Sequence, residues 1–122
     1  MIIEIPMTPR SKKNSQRIIV HKNRPMIVQS EIYKTYERNC AIFLPKLETP
    51  INTKINLKCT FIVPDKRKRD LTNLLNAIQD ILVKYRVIED DNYNIVNSTD
   101  GSRIVYQQGT GKTIIEITEA ER

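Results

Sequence analysis

Between Ile51 and Val63 the odd positions are Ile51, Thr53, Ile55, Leu57, Cys59, Phe61 and Val63, while the even positions are mostly Asn, Lys and Thr. This period of two predicts a long strand with one buried face and one wet face. Pro64 and Asp65 end it. The period then changes: Leu71, Leu74, Leu75, Ile78, Ile81, Leu82 and Tyr85 recur at helical spacing. Asp70 stands where a helix N-cap belongs, the helix should end near Arg86, and "VIEDDNYN" reads as a turn. Upstream, "MIIEIPM" predicts a first strand and "TPRSKKNSQ" a polar, basic loop. "RIIV" and "PMIV" flank "HKNR" as a hairpin would. Ser30 then offers an N-cap to a helix with Ile32, Tyr33, Tyr36, Cys40, Phe43 and Leu44 on one face, closed off by Pro45 and Pro50. The tail predicts strands over 95–107 and 112–118, joined by "QQGTG", with "TDGS" at 99–102 a turn or a bulge. The order is βββαβαββ. It predicts an α+β fold, a single mixed β-sheet with two amphipathic helices packed on it, and one domain over residues 1–122.

Composition narrows the classes. Charged residues at 28% and hydrophobic ones at 39% are ordinary for a globular chain. No apolar run approaches the ~20 residues that span a bilayer, and the start has no signal-peptide pattern, so no membrane role and a cytoplasmic location are expected. Cys40 and Cys59 have no CxxC spacing, and His21 is the one histidine, which argues against zinc and disfavours a disulfide. The net charge of +6 is unevenly spread. Residues 5 to 30 hold no acid but carry Arg10, Lys12, Lys13, Arg17, Lys22 and Arg24. Lys66, Arg67, Lys68 and Arg69 form a second positive block, and Glu89, Asp90 and Asp91 a negative one. Basic segments that converge in the fold would suit a phosphate backbone; the plainer reading is a solvated surface.

Several chemistries are excluded by their parts. No partnered imidazole supports a Ser-His-Asp or Cys-His scheme. "GTGK" at 109–112 lacks P-loop spacing, and no ExK follows Pro64-Asp65. The carboxylates remain. Asp70 and the Glu89-Asp90-Asp91 run are separated by a helix of roughly 24 Å if that helix has about 16 residues, so they meet only if the turn folds back or a second subunit supplies its copy. Taken alone, Asp70 reads as a cap worth about 1 kcal/mol and the acidic run as a solvated turn. Clustered beside a phosphate, the same groups could hold Mg²⁺ through one or two carboxylates.

The stretch "VPDKRKRDLTNLLNAIQDILVKYRVIEDDNYNI" resembles the RusA-type Holliday-junction resolvases, often encoded by phages and prophages. The likeness is concentrated in residues 63–94 and extends more weakly to "IPMTPRSKKNSQ" and "SEIYKTYERN". It implies a Mg²⁺-dependent endonuclease that acts as a homodimer on four-way DNA junctions, leaves paired nicks and uses no small-molecule cofactor. By residue, it implies Asp70, Asp91 and the adjacent Asp90 as catalytic metal ligands, Asn73 as the motif's asparagine, and Lys66, Arg67, Lys68 and Arg69 at the DNA, with Lys12 and Lys13 as further phosphate contacts. Two positions depart from the pattern. Many members have a second Asp where this chain has Thr72, and many have Lys where it has Asn76. A threonine hydroxyl or water at position 72, or Glu89, Asp90 or Asp100, are the available compensations. The competing readings are a non-catalytic nucleic-acid-binding protein that retains the fold, which Thr72 and Asn76 favour, and a small partner-binding domain whose basic surface is incidental.

Overall fold

A computed structural model describes residues 1–12, 16–29 and 31–120, with nine elements among them. They are β1 (Ile2–Ile5), β2 (Gln16–His21), β3 (Arg24–Gln29), α1 (Glu31–Ile42), β4 (Ile55–Val63), α2 (Leu71–Lys84), β5 (Val96–Ser98), β6 (Arg103–Tyr106) and β7 (Lys112–Glu119). Lys13 and Ser30 lie outside the described residues, as do the side chains of Arg17 and His21.

The long alternating strand is the spine of a mixed five-stranded sheet. β4 pairs antiparallel with β7, which pairs antiparallel with β1 at one edge. Along its other side β4 pairs in parallel with β5 and then with β6. The alternation settles which face is covered: Ile55, Leu57, Cys59, Phe61 and Val63 are buried, whereas Lys58 on the opposite face meets Glu116 of β7 across the strands at 3.7 Å. Ile115 and Ile117 of β7 and Ile3 and Ile5 of β1 continue the buried face. Against it pack Leu74, Ala77, Ile78, Ile81 and Leu82 of α2 and Tyr33, Tyr36 and Cys40 of α1.

Four expectations change in detail. The strand expected from Ile51 starts at Ile55, and Ile51 instead forms an isolated parallel bridge with Ile88. The strand expected over 95–107 is two strands, because residues 99–102 form a turn between them. β5 pairs with Ile55 and Asn56 and β6 with Thr60–Val63; in the gap, Ser102 Oγ accepts the Cys59 N–H at 3.0 Å. On α1, Ile32 and Phe43 are exposed, so its apolar face is narrower than the pattern suggested. The hairpin is a two-stranded ribbon of its own, separate from the five-stranded sheet. Lys22 and Asn23 both adopt positive φ at its tip, as a two-residue turn matched to strand twist requires.

The end of α2 determines where the acidic run lies. Arg86 takes φ 61° just past the helix, its N–H donates to Val83 O at 3.1 Å, and the Val87 N–H donates to Leu82 O at 2.9 Å. These two bonds make a Schellman motif, with arginine at the left-handed position where glycine is usual. Val87 and Ile88 are then buried, and the Glu89 N–H donates to Ile51 O. The chain is thereby turned back along the helix it has just left.

Candidate acidic site and nucleic-acid interface

The loop from Pro64 to Arg69 is ordered by one carboxylate. Asp65 Oδ1 accepts from the Arg67 N–H at 3.0 Å and from Arg69 Nη1 at 2.9 Å. Arg69 Nη1 also donates to the carbonyls of Asp65 and Arg67. These bonds to cationic and backbone N–H groups hold the Asp65 carboxyl below its usual range, with the Arg69 bond the largest cause. Pro64-Asp65 is thus a staple for the basic loop. The four basic residues are not equivalent: the Arg69 side chain is only 13% exposed and committed to Asp65, whereas Lys66, Arg67 and Lys68 face solvent. The Lys66 ammonium also sits 5.3 Å from the ring centre of Tyr106, which is itself exposed at the end of β6.

The two basic segments converge. Pro9 and Ser11 of the N-terminal loop are buried and Arg10 between them is exposed. A cleft of about 340 Å³ is lined by Arg10 from that loop and by Arg67, Lys68 and Arg69 from the other. The approach of the N-terminal loop depends on Gly111: a Cβ there would lie 2.2 Å from Thr8 Oγ1 and 2.6 Å from Thr8 Cα. The "GTGK" segment therefore serves packing, as its wrong P-loop spacing implied.

Asp70 does what its position in the sequence suggests. It is the N-cap of α2, with φ −108° and ψ 118°, and its Oδ1 accepts from the Asn73 N–H at 3.2 Å. The carboxylate is exposed, as is Thr72, while Asn73 is half-buried. The acidic run has its own internal bonds. Asp90 Oδ1 accepts from the Asp91 N–H at 2.7 Å, and Asp90 Oδ2 from Asn92 Nδ2 at 3.1 Å. Asp91 lies at the surface, yet its carboxyl is raised above the ordinary carboxylate value. Loss of water around it is the largest cause, followed by a hydrogen bond with the Asp90 side chain and the negative charges of Asp80 and Asp90.

Asp80 is the acid that the sequence reading missed. It lies on α2 ten residues after Asp70, about 15 Å along the axis, so the acids divide between the two ends of the helix. Asp70 belongs to the N-terminal end, beside the basic loop; Asp80 stands toward the C-terminal end, and its charge, with that of Asp90, reaches Asp91. Asp80 also accepts an ion pair from Lys12, Nζ to Oδ2 at 2.9 Å. Lys12, expected to contact phosphate, therefore sits against an acid. The signal for Asp80 was present: Asn73, Asn76 and Asp80 follow at three- and four-residue steps and share one polar edge of the helix. Of the expected compensations for Thr72, Asp100 falls in the β5–β6 turn, where its N–H donates to Ser98 Oγ. Glu89 is exposed beside the bridge to Ile51. Among the described residues, no three Asp, Glu, His or Cys side chains converge closely enough to enclose a metal ion. Asp90 and Asp91, adjacent in the chain, suit a cation that keeps several of its waters and needs only one or two protein ligands.

Both cysteines are buried and unpaired, and loss of water pushes the thiols up to about 11 at Cys40 and about 12 at Cys59. They are packing residues. No helix among the described residues is long and apolar enough to cross a membrane.

The family described as endodeoxyribonuclease RusA matches residues 6–118, which takes in the N-terminal loop, both helices and every strand of the main sheet but the first. The chain belongs to the RusA endodeoxyribonuclease family. A curated relative is the crossover junction endodeoxyribonuclease RusA of Aquifex aeolicus (strain VF5), 40% identical over 42 residues. That alignment covers 34% of this chain and 33% of the relative, so the chain spans about a third of the curated RusA protein it matches.

Proposed function

We propose that this RusA-family chain is a Mg²⁺-dependent, structure-selective DNA endonuclease that resolves four-way junctions by paired nicks as a homodimer in the cytoplasm. The observation that carries the reading is the convergence of Arg10 with Arg67, Lys68 and Arg69 on one cleft that borders the N-terminus of α2, the helix that bears Asp70 and Asp80. Charge of this kind recognises phosphate positions, and a junction is selected by the course of its backbones more than by base edges. Arg10, Lys66, Arg67 and Lys68 dock the backbone. Arg69, tied to Asp65, fixes the loop that presents them.

Asp70 at the N-terminus of α2 and, near the other end of the helix, Asp90 and Asp91 are the carboxylates assigned to Mg²⁺, with Asn73 and Thr72 in support; the two groups serve one ion only where the dimer brings one subunit's Asp70 to the other's acidic run. The buried backbone of Val87 and Ile88 orients the acidic run. Mg²⁺ held by these carboxylates would supply polarisation of the phosphoryl oxygen and activation of water. The residues of the chain hold the strand in register, keep carboxylates free to accept protons from bound water, and offset phosphate charge. Two opposed strands need two equivalent sites, which a C2 dimer supplies.

The test is a labelled four-way junction incubated with Mg²⁺ and the wild type, Asp70→Asn or Asp91→Asn. Symmetric nicks with the wild type and none with either variant are expected. Tight junction binding without cleavage under any divalent metal would sink the proposal in favour of a non-catalytic DNA-binding protein. Thr72 and the lack of three converging acids among the described residues favour that second reading.

A further inference from the structure

The N-terminal loop reaches α2 at Lys12, 2.9 Å from Asp80. Asp80 in turn influences Asp91 on the acidic run and Tyr33 on α1. The ion pair thus joins the N-terminal loop to α2. Lys12, the ion-pair partner of Asp80, also lines a groove with Tyr33, Lys34, Glu37 and Arg38 of α1 and Lys84 of α2, and the charge of Asp80 is felt at Tyr33 and Asp91. Most of the cations are engaged elsewhere. Lys84 pairs with Glu37, Lys34 lies 3.8 Å from Glu31, and Arg38 donates to Thr35 Oγ1. Lys12 is the cation paired with Asp80.

We propose that Lys12 is a positioning residue for the acidic site. Through Asp80 it fastens the N-terminal basic loop to α2, the helix that Asp70 caps, so the phosphate-docking residue Arg10 and Asp70 keep a fixed relation. The inference rests on the endonuclease reading above. It differs from the role the sequence suggested for Lys12, which was a direct phosphate contact. The two roles leave different signatures. A phosphate contact contributes to affinity and to the salt slope of binding. A positioning residue contributes to turnover, where a displacement of about 1 Å costs about 10²-fold. The pair is part-exposed and contributes little to global stability, so thermal midpoints should not move with it.

The experiment compares wild type, Lys12→Ala, Lys12→Arg, Asp80→Asn and the Lys12→Ala/Asp80→Asn double variant on a four-way junction with Mg²⁺. Single-turnover rate at saturating protein, Kd and the salt slope are measured for each. Lys12→Ala should cut the rate by about 10²-fold with Kd and slope unchanged. Lys12→Arg should recover most of the rate, and the double variant should be no slower than the slower single variant. Unchanged rate with weaker binding and a salt slope smaller by about one overturns the proposal and returns Lys12 to phosphate contact. So do rate losses that multiply in the double variant. Amide exchange over residues 7–12 reads the pairing without catalysis. Equal acceleration in both single variants, with no more in the double, supports the link; unchanged exchange in the singles refutes it. A wild type that fails to cleave while this exchange pattern holds refutes the endonuclease reading and leaves the link standing.

Discussion

Asp70 is the N-cap of α2 and a carboxylate proposed above for the ion, and the two roles can be separated by substitution. As N-cap it accepts from the Asn73 N–H, and asparagine or serine can take over that bond while alanine cannot. Asp70→Ala should therefore cost about 1 kcal/mol, the usual worth of such a cap. At about 2.1 cal/mol/K per residue, a chain of 122 residues unfolds with about 0.26 kcal/mol/K, so the loss corresponds to a Tm lower by about 4 °C. Asp70→Asn keeps the cap and loses only the charge near the helix N-terminus, about 0.3–1 kcal/mol. Its Tm should fall by about 1–4 °C, no further than that of the alanine variant. Cleavage should order the variants differently. Both lack the carboxylate and both should be inactive, with junction Kd within about threefold of wild type, since the docking cations remain. Calorimetry gives the first ranking and a junction-nicking assay the second. Cleavage by Asp70→Asn at the wild-type rate would refute the metal role. An alanine variant as stable as wild type would refute the cap.

Asp91 gives a pH-dependent prediction whose sign follows from its raised carboxyl. Folding strengthens its hold on a proton, so its contribution to stability is full below the ordinary value of 3.8 and is lost as pH rises through the raised folded value. Asp91→Asn should be slightly more stable than wild type at pH 7, and the gap should close at pH 3, as read from urea midpoints. Gly111→Ala should cost about 1–3 kcal/mol in urea unfolding, because the added methyl meets Thr8 backbone that cannot yield without moving the N-terminal loop. Arg86→Gly should stabilise by about 0.5 kcal/mol, since φ 61° at the end of α2 is easy for glycine and strained for arginine; the thermal midpoint checks it. Cys40 and Cys59 should resist a thiol reagent in the folded chain and react at once in urea, because burial keeps both thiols protonated at neutral pH.

The fold was legible where one period ran uninterrupted. Nine residues alternating about Cys59 and fourteen at helical spacing about Ile78 could each be satisfied by one element, and each became one. Legibility failed where tertiary partners decide. Ile51 continues the period-two pattern but is captured by Ile88 after the chain reverses at Arg86, so β4 begins four residues later. Ile32 and Phe43 fit the helical pattern of α1, but the sheet has room only for the stripe of Tyr33, Tyr36 and Cys40. The split between β5 and β6 depends on Ser102 supplying a bond to Cys59 across strands, which nothing in the local run reveals.

For the site, the limits of the sequence are electrostatic. The run "PDKRKRD" states that cations precede a cap, but not that Asp65 withdraws Arg69 from the positive surface and uses it to set the loop. Likewise Lys12 and Asp80 stand 68 residues apart, and their pairing requires both that Gly111 admit the N-terminal loop and that α2 present its polar edge to it. Once they meet, the charges of Lys12, expected to contact phosphate, and of Asp80, which the sequence did not single out, are paired with each other. The missing carboxylate at Thr72 matters at the N-terminal end of α2, whereas the acid that the fold supplies lies about 15 Å further along it. Asp80 is therefore no substitute for position 72. It is a link between the basic loop and the helix that Asp70 caps, and that is why its removal should be felt in turnover while the helix it stands on remains folded.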